Sequence, residues 1–189
     1  MLKKISYMTA GESHGKGLIG IIEGIPAGMN ITEEYIEKDL LRRMQGHGRG
    51  GRMKIEKDHA EIFSGVRHAV TLGSPISLLI KNFDWVNWED RMATGKPKKE
   101  HRKVSMPRPG HADLAGVMKY GLDDIRNVLE RSSARETAMR VAIGAVCRKL
   151  LEEVGITVGS RVYQIHNIVD NTPVSNDMGL KELNDTVDA

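Results

Sequence analysis

The sequence predicts an α+β fold in which short strands and amphipathic helices are mixed along one domain, residues 1–189. Two patterns support this class. Short apolar runs bounded by glycine or asparagine are typical of strands, and capped segments with apolar residues on one face are typical of helices. A third observation is the 40% share of hydrophobic residues, which suffices for one good core. Neither an internal repeat nor a linker divides the chain.

Several stretches of the chain have the composition of strands. The clearest is an apolar run that lies between Gly73 and Asn82. Residues 5–9 and 18–23 are expected to pair with each other, and the stretch at residues 156–169 is interrupted by Gly159. The predicted strands are residues 5–9, 18–23, 60–64, 75–81 and 156–169.

The first predicted helix begins after Thr32, because a threonine hydroxyl commonly caps a helix N-terminus. Acidic residues in its first turn, and Arg42 and Arg43 in its last turn, suit the helix dipole. The predicted apolar face of this helix consists of Ile36, Leu40, Leu41 and Met44.

The second half of the chain carries the other predicted helices. A short helix covers residues 112–120, and a longer one follows Ser132. Ser133 and Glu136 have the spacing of a capping box at the start of the longer helix. Residues 180–187 begin a further helix, and residues 83–108 form a long excursion between strands and helices.

The longer helix has one apolar stripe, which Gly155 ends. Gly144 and the alanines in this stripe are small enough to let another element approach closely. We interpret Cys147, the single cysteine, as a packing residue here, since it offers no disulfide partner and no base stands near it. The stripe consists of Ala138, Val141, Ala142, Ala145, Val146 and Leu150.

Composition also limits the cellular location. No apolar run approaches the roughly 18 residues that a membrane span needs. The first residues lead into a strand-like segment and not into a signal-peptide core. A lone cysteine fits a reducing compartment. These observations predict a cytoplasmic protein with no membrane partner.

Much of the positive charge is concentrated in two loops, and the net charge of +3 understates this unevenness. In residues 42–52, four arginines alternate with four glycines, a pattern that suits either a solvated turn or a phosphate or carboxylate site. In residues 91–108, Glu100 is the only acid among many lysines and arginines. We interpret this second loop as a solvated loop or lid in preference to a binding patch.

Four motifs carry the chemistry. In residues 11–26, His14 stands between two small residues before a glycine-rich turn into a buried strand, which presents an imidazole at a sheet edge with room for a large ligand. The others are Arg49-Gly50-Gly51-Arg52, Arg108-Pro109-Gly110-His111-Ala112-Asp113 and Glu130-Arg131-Ser132-Ser133-Ala134-Arg135-Glu136-Thr137. In this order, from about Tyr7 to Val146, they resemble the signatures of the chorismate synthase family.

The resemblance implies a β-α-β sandwich and a homotetramer. It also implies a 1,4-trans elimination of phosphate from 5-enolpyruvylshikimate 3-phosphate, which gives chorismate with reduced FMN and no net redox change. The electrons that reduce the flavin would come from an external reductase or from NADPH. The family's third signature lies in a C-terminal part that these 189 residues lack, so the resemblance implies an incomplete domain that is inactive alone.

Site roles follow from the same resemblance. His14 would protonate or hydrogen-bond the leaving phosphate, and His111 would serve the reduced flavin. The arginines expected to neutralise the phosphorylated substrate are Arg43, Arg49, Arg52, Arg108 and Arg135. The FMN contacts are expected at Arg131, Ser132 and Ser133, and Arg43 and Arg49 are also candidates for NADPH. From position alone, ordinary helix capping is the favoured interpretation of the serines, and it does not exclude an FMN contact, because one serine suffices for the cap.

The alternative is a basic Arg-Gly module that binds nucleic acid through phosphate contacts. Aromatic residues make up only 4% of the chain, so stacking platforms would be sparse. We interpret Trp85 and Trp88 as packing residues. No histidine pair has zinc-ligand spacing supported by cysteine or carboxylate, so no metal is expected.

Overall fold

The computed structural model describes residues 4–45 and 55–171. Predictions for Arg49, Arg52 and the helix at residues 180–187 therefore lie outside the described residues. The described strands are β1 (Ser6–Ala10), β2 (Gly17–Glu23), β3 (Ala60–Ser64), β4 (Val66–Arg67), β5 (Val70–Thr71), β6 (Ile76–Lys81), β7 (Gln164–Ile165) and β8 (Ile168–Val169). The described α-helices are α1 (Glu33–Met44), α2 (Asp113–Tyr120), α3 (Arg126–Leu129) and α4 (Thr137–Glu153).

A four-stranded antiparallel sheet, in the order β1-β2-β6-β3, forms the centre of the fold. Side chains alternate across a strand, so every second residue of β2 faces the core. Leu18 and Ile22 are almost completely buried, whereas Ile19 between them is 46% exposed. The α+β class and the predicted pairing of the first two strands are confirmed.

Helices α1 and α4 pack together and cover one face of the sheet. Thr32 caps α1 as predicted, because its Oγ1 accepts a hydrogen bond from the Tyr35 amide at 3.2 Å. Ile36 and Leu40 are completely buried against the core. Leu41, placed on the apolar face by the sequence, is 47% exposed, because it lies one residue round the helix from that face.

The start of α4 differs from the sequence prediction, whereas its end agrees with it. The capping box does not form: Ser133 Oγ accepts from the Arg135 amide, and the Glu136 carboxylate accepts instead from Thr9 and Arg140. A short 3-10 helix, Ala134–Glu136, consequently precedes α4. At the other end, Gly155 has a φ of 75°, a left-handed conformation that glycine adopts without strain, and it ends the helix as predicted.

The close approach predicted at Gly144 occurs elsewhere. A Cβ atom added at Gly144 would meet nothing within 4 Å. A Cβ added at Gly20 of β2 would lie 2.5 Å from Met139 Sδ and 2.9 Å from Ile143 Cδ1. The glycine that lets strand and helix pack closely is therefore on the strand, and α4 contributes the larger side chains.

We expect Gly20→Ala to lower the free energy of unfolding by about 1–3 kcal/mol, because the added methyl group overpacks the interface with Met139. Gly144→Ala is the matched control. It should raise stability by about 0.5–1 kcal/mol, since alanine favours helix and the site has room. Urea unfolding measures both changes. Equal effects of the two substitutions would contradict this assignment.

Two segments outside the central sheet and the main helices have little regular structure. Residues 83–108 contain a 3-10 helix, Phe83–Asn87, and no other helix or strand. The strand predicted at residues 156–169 is wrong in extent: only β7 and β8 form, as a hairpin, and residues 156–163 have no regular structure. Within the described residues, no helix combines the length and apolar character required to span a bilayer.

Candidate active site

His14 lies in the turn between β1 and β2 and is held there by Glu130. The Ser13 amide donates to the Glu130 carbonyl at 2.9 Å, and the His14 amide donates to Glu130 Oε2 at 2.8 Å. The two carboxylate oxygens of Glu130 lie 2.9 and 3.0 Å from His14 Nδ1. Backbone and ring of His14 are thus fixed by one residue.

Glu130 is only 2% exposed, and its carboxylate is nevertheless charged. Burial raises the pKa of Glu130, but the hydrogen bonds from His14 and Arg126 outweigh burial and bring that pKa below its ordinary value. Arg126 Nη1 donates to Glu130 Oε1 at 3.0 Å. Because an ionised carboxylate only accepts hydrogen bonds, we assign the imidazole proton to Nδ1, which leaves Nε2 available to a ligand.

Trp88 packs against the other side of His14. The two rings are stacked, with centroids 3.9 Å apart and planes inclined by 27°. Trp88 Nε1 donates to Asp84 Oδ2 at 3.0 Å, and the same oxygen lies 4.0 Å from His14 Nε2. Trp88 is therefore a packing residue, as predicted, and the residue that it packs on is His14.

Arg135 lies in a buried polar cluster beneath the start of α4. Its Nε donates to Asn82 Oδ1 at 2.8 Å, and its Nη1 forms an ion pair with Asp58. Its Nη2 lies 3.5 Å from Glu56. The Arg135 side chain is 5% exposed, so its charge is neutralised almost entirely by neighbours in the protein.

Arg43 joins the same cluster from the last turn of α1. Its Nη1 donates to Asp58 Oδ2 at 3.2 Å, and its Nη2 donates to the Ala134 carbonyl at 3.0 Å. Asp58 therefore bridges two of the predicted substrate arginines. The structure brings Arg43 and Arg135 together, and both are anchored by acceptors of the protein.

Arg131, Ser132 and Ser133 lie at the turn before α4. Arg131 Nη2 donates to Thr9 Oγ1 at 2.7 Å and to the Thr9 carbonyl at 3.0 Å. Its Nη1 is a buried donor with no hydrogen-bond partner among the described residues. Ser133 caps the 3-10 helix through its hydroxyl, whereas Ser132 is exposed. Arg131 Nη2 also lies 3.6 Å from Glu136 Oε1, so the turn contains a guanidinium paired with an acid and one exposed serine.

Arg108 and His111 lie at the N-terminus of α2. Arg108 Nε and Nη2 donate to Asp113 at 2.8 and 2.9 Å, and Asp113 is completely buried. The hydrogen bonds from Arg108 lower the pKa of Asp113 to about 2. His111 is exposed, and among the described residues no hydrogen bond or ion pair joins it to His14. The two predicted catalytic histidines are therefore not in direct contact.

Sequence reasoning missed the partners of these side chains. Glu130 opens the fourth motif, but no local signal connects it to a histidine 116 residues earlier. Glu56 and Asp58 are nearly completely buried acids. Their position just after the basic loop of residues 42–52 was the only hint in the sequence that they could pair with arginines. In residues 4–45 and 55–171, no group of three or more potential metal ligands is arranged around a common point.

Comparisons with known proteins agree on one family. The family model for chorismate synthase matches residues 5–188. The chain is 55% identical over 185 residues to the chorismate synthase of Syntrophomonas wolfei, a match that covers 97% of the chain and 47% of that protein. It is 59% identical over 165 residues to the chorismate synthase of Aquifex aeolicus, covering 87% and 42% respectively.

A solved structure gives the same result in three dimensions. A crystal structure of chorismate synthase superposes with a TM-score of 0.67 and 46% sequence identity, and the match covers 90% of this chain and 41% of that one. The chain therefore spans less than half the length of the relatives that it matches.

Proposed function

The chain belongs to the chorismate synthase family, and we propose that it forms the N-terminal portion of an enzyme that removes phosphate from 5-enolpyruvylshikimate 3-phosphate. The reaction is the 1,4-trans elimination that gives chorismate, a precursor of aromatic amino acids. This makes the protein a carbon-oxygen lyase. The observation that carries the proposal is the His14–Glu130 pair, because it supplies an oriented imidazole at the position where the family motif expects one.

His14 acts on the leaving phosphate. Glu130 holds the Nδ1 proton and fixes the ring, and Trp88 limits its rotation. Nε2, which lies 4.0 Å from Asp84 Oδ2, is the nitrogen left for a ligand, and from it a protonated imidazole would donate a hydrogen bond or a proton to the departing phosphate oxygen. The Glu130 carboxylate stabilises the imidazolium that this step requires.

The arginines neutralise the substrate. Its phosphate and carboxylates carry several negative charges, and guanidinium groups bind such anions with paired hydrogen bonds. Arg43 is held by Asp58 and Arg108 by Asp113, whereas Arg135, which is buried and compensated inside the protein, acts by holding Asp58 in place beside Arg43. Arg49 and Arg52, in the adjoining loop sequence, complete the proposed set.

Reduced FMN is the proposed cofactor, and the turn before α4 fits its phosphate. The partly exposed guanidinium of Arg131 and the exposed Ser132 are the groups there that we propose for the anion. The chemistry that reduced FMN would supply here is the transient loan of an electron, with no net redox change. His111 holds or moves a proton at the flavin edge, and Arg43 and Arg49 are the residues proposed to meet NADPH where it serves as reductant.

We further propose that the active enzyme is a cytoplasmic homotetramer and that this portion alone is inactive. Support comes from the outer face of the sheet, where Ile19, Ile21 and Phe63 are 45–74% exposed. Apolar surface of this kind is normally covered by further chain or by another subunit. Residues 1–189 would then form the N-terminal portion of one larger domain.

The function is tested by turnover of the full-length protein with reduced FMN. We expect His14→Ala to lower kcat by about 10²-fold or more, because it removes the proton donor, and His111→Ala to act similarly. His59→Ala is the control, since His59 pairs with Glu33 on the surface. Normal turnover in the His14 and His111 variants would contradict the mechanism. Salt-steep RNA binding without flavin binding would contradict the function itself.

A further inference from the structure

Asn82 lies between the turn that carries His14 and the buried arginine cluster. It directly follows β6, precedes the 3-10 helix Phe83–Asn87 and is 4% exposed. The side-chain oxygen of an asparagine in this position commonly accepts a hydrogen bond from the helix that follows. The side chain of Asn82 makes no such bond. Its polar atoms are therefore directed to other parts of the fold.

The side-chain nitrogen of Asn82 binds the turn that carries His14. Nδ2 donates to the Glu12 carbonyl at 3.1 Å and to the Gly15 carbonyl at 2.9 Å. These two bonds bracket His14 along the chain. The backbone amide of Asn82 also donates to the Lys16 carbonyl, at 3.1 Å. Three N–H groups of one residue therefore fix the backbone on both sides of the imidazole.

The side-chain oxygen of Asn82 binds the arginine cluster. Oδ1 accepts a hydrogen bond from Arg135 Nε at 2.8 Å. Arg135 in turn forms an ion pair with Asp58, and Asp58 accepts from Arg43 Nη1 at 3.2 Å. The amide of Asn82 has one possible orientation, because a guanidinium only donates hydrogen bonds and a carbonyl oxygen only accepts them. A continuous series of polar contacts thus joins the backbone around His14 to Arg43.

Glu56 supplies the helix cap that the side chain of Asn82 does not. Its Oε2 accepts from the amide of Phe83, the first residue of the 3-10 helix, at 2.9 Å. Glu56 is 2% exposed, so this acceptor is held in place by the core around it. The 3-10 helix therefore keeps its cap when the side chain of Asn82 is changed. The effect of such a change falls on the His14 turn and on Arg135.

We propose that Asn82 is a positioning residue for the elimination and sets the place of the His14 imidazole relative to Arg43. The inference rests on the proposed function, in which His14 donates to the leaving phosphate and Arg43 binds the substrate. The side chain of Asn82 is buried and hydrogen-bonded at both its oxygen and its nitrogen, so it acts through His14. A proton donor displaced by about 1 Å can lower the rate by about 10²-fold.

Asn82→Asp in the full-length protein tests this role. Aspartate has the size of asparagine and keeps an acceptor for Arg135, but it turns an anionic oxygen toward the two carbonyls of the turn. We expect kcat to fall by about 10²-fold. KM should change much less, because the ion pair between Arg43 and Asp58 remains. Asn30→Asp, the same chemical change at an exposed position, should leave kcat and KM unchanged.

Combined variants separate positioning from a general loss of structure. A residue that acts through His14 loses its effect once the imidazole is gone. Adding Asn82→Asp to His14→Ala should therefore lower kcat by no more than about a further twofold. Added to His111→Ala, the same change should still lower kcat by about 10²-fold, because His111 stands outside this series of contacts.

A further 10²-fold loss in the His14→Ala background would overturn the positioning role, and so would a normal kcat in folded Asn82→Asp. Neither result would contradict the proposed function. Normal turnover of His14→Ala alone would overturn the proposed function, and the role of Asn82 with it.

Asn82→Ser is the second variant, which decides the question if the aspartate variant does not fold. Serine introduces no charge, and its hydroxyl is too short to reach both carbonyls of the turn. The same fall in kcat and the same dependence on His14 are expected, with circular dichroism as the check on folding. A normal kcat in folded Asn82→Ser would likewise overturn the assignment.

Discussion

Glu130→Gln is expected to lower kcat of the full-length enzyme by about 10²-fold or more while KM changes much less. Glutamine preserves the size of the side chain but replaces one accepting oxygen by an NH₂ donor. The His14 amide and Nδ1 donate to Oε2 and Arg126 donates to Oε1, so the NH₂ group of glutamine must face one of these donors. In other enzymes, loss of the carboxylate that orients a histidine lowers metal affinity or activity by about 10- to 100-fold at metal-bound histidines, and lowers kcat by about 10⁴-fold in a serine protease triad.

The tautomer of His14 separates this role from simple destabilisation. In the parent protein, ¹⁵N NMR at a pH where the ring is neutral should show the proton on Nδ1, and in Glu130→Gln the Nε2–H tautomer should become populated. Glu89→Gln is the control, since Glu89 is an exposed acid in the same region of the fold. A fall in kcat with an unchanged tautomer would remove Glu130 from the mechanism as an orienting residue.

Arg135→Ala is expected to lower the free energy of unfolding by about 3–5 kcal/mol, the largest effect on stability among these substitutions. The change removes Arg135 from two acids that are both about 2% exposed: Asp58 keeps only Arg43 as an ion-pair partner among the described residues, and Glu56 loses a cation 3.5 Å away. Removing one partner from a buried ion pair costs far more than the pair itself contributes, because the buried charge that remains is less well compensated. Urea denaturation with the slope held constant measures the difference.

Arg140→Ala is the matched control for Arg135. Arg140 pairs with Glu136 on the surface of α4 and is 55% exposed, so its removal should cost no more than about 1 kcal/mol. A stability loss of similar size in both variants would contradict the buried-cluster interpretation. Adding Asp58→Asn to Arg135→Ala should restore part of the loss, because it removes one of the two buried negative charges that lost Arg135 as a partner.

The sequence predicts the main elements because each carries a local signal. The apolar run from Leu18 to Ile22 predicts a strand, although its buried face is seen only in the structure, and Thr32 marks the start of α1. Periodicity identifies the face of an element but not the neighbour that it meets. The close contact therefore occurs at Gly20 and not at Gly144, and β4, β5 and β7 were too short for any pattern.

In the candidate site, too, the sequence identifies some residues, and only the fold identifies the others. His14, Arg135 and Arg131 stand in motifs and could be named from the sequence. Their partners could not, because the acceptors Glu130, Asp58 and Thr9 are brought to them only by the fold. A buried acid has no periodicity of its own, and its role depends on a cation or imidazole that arrives from another element.

The strand order also determines what happens while the chain is being made. Gly17 of β2 lies opposite Lys81 of β6, and the buried side of β2 is covered by α4, which ends at Glu153. Ribosomes add about 5–20 residues per second, so on the order of 10 s separate the emergence of the first hairpin from that of its cover. During that interval Leu18 and Ile22 face water. An uncovered apolar strand of this kind is the surface that we expect a chaperone to bind on the nascent chain.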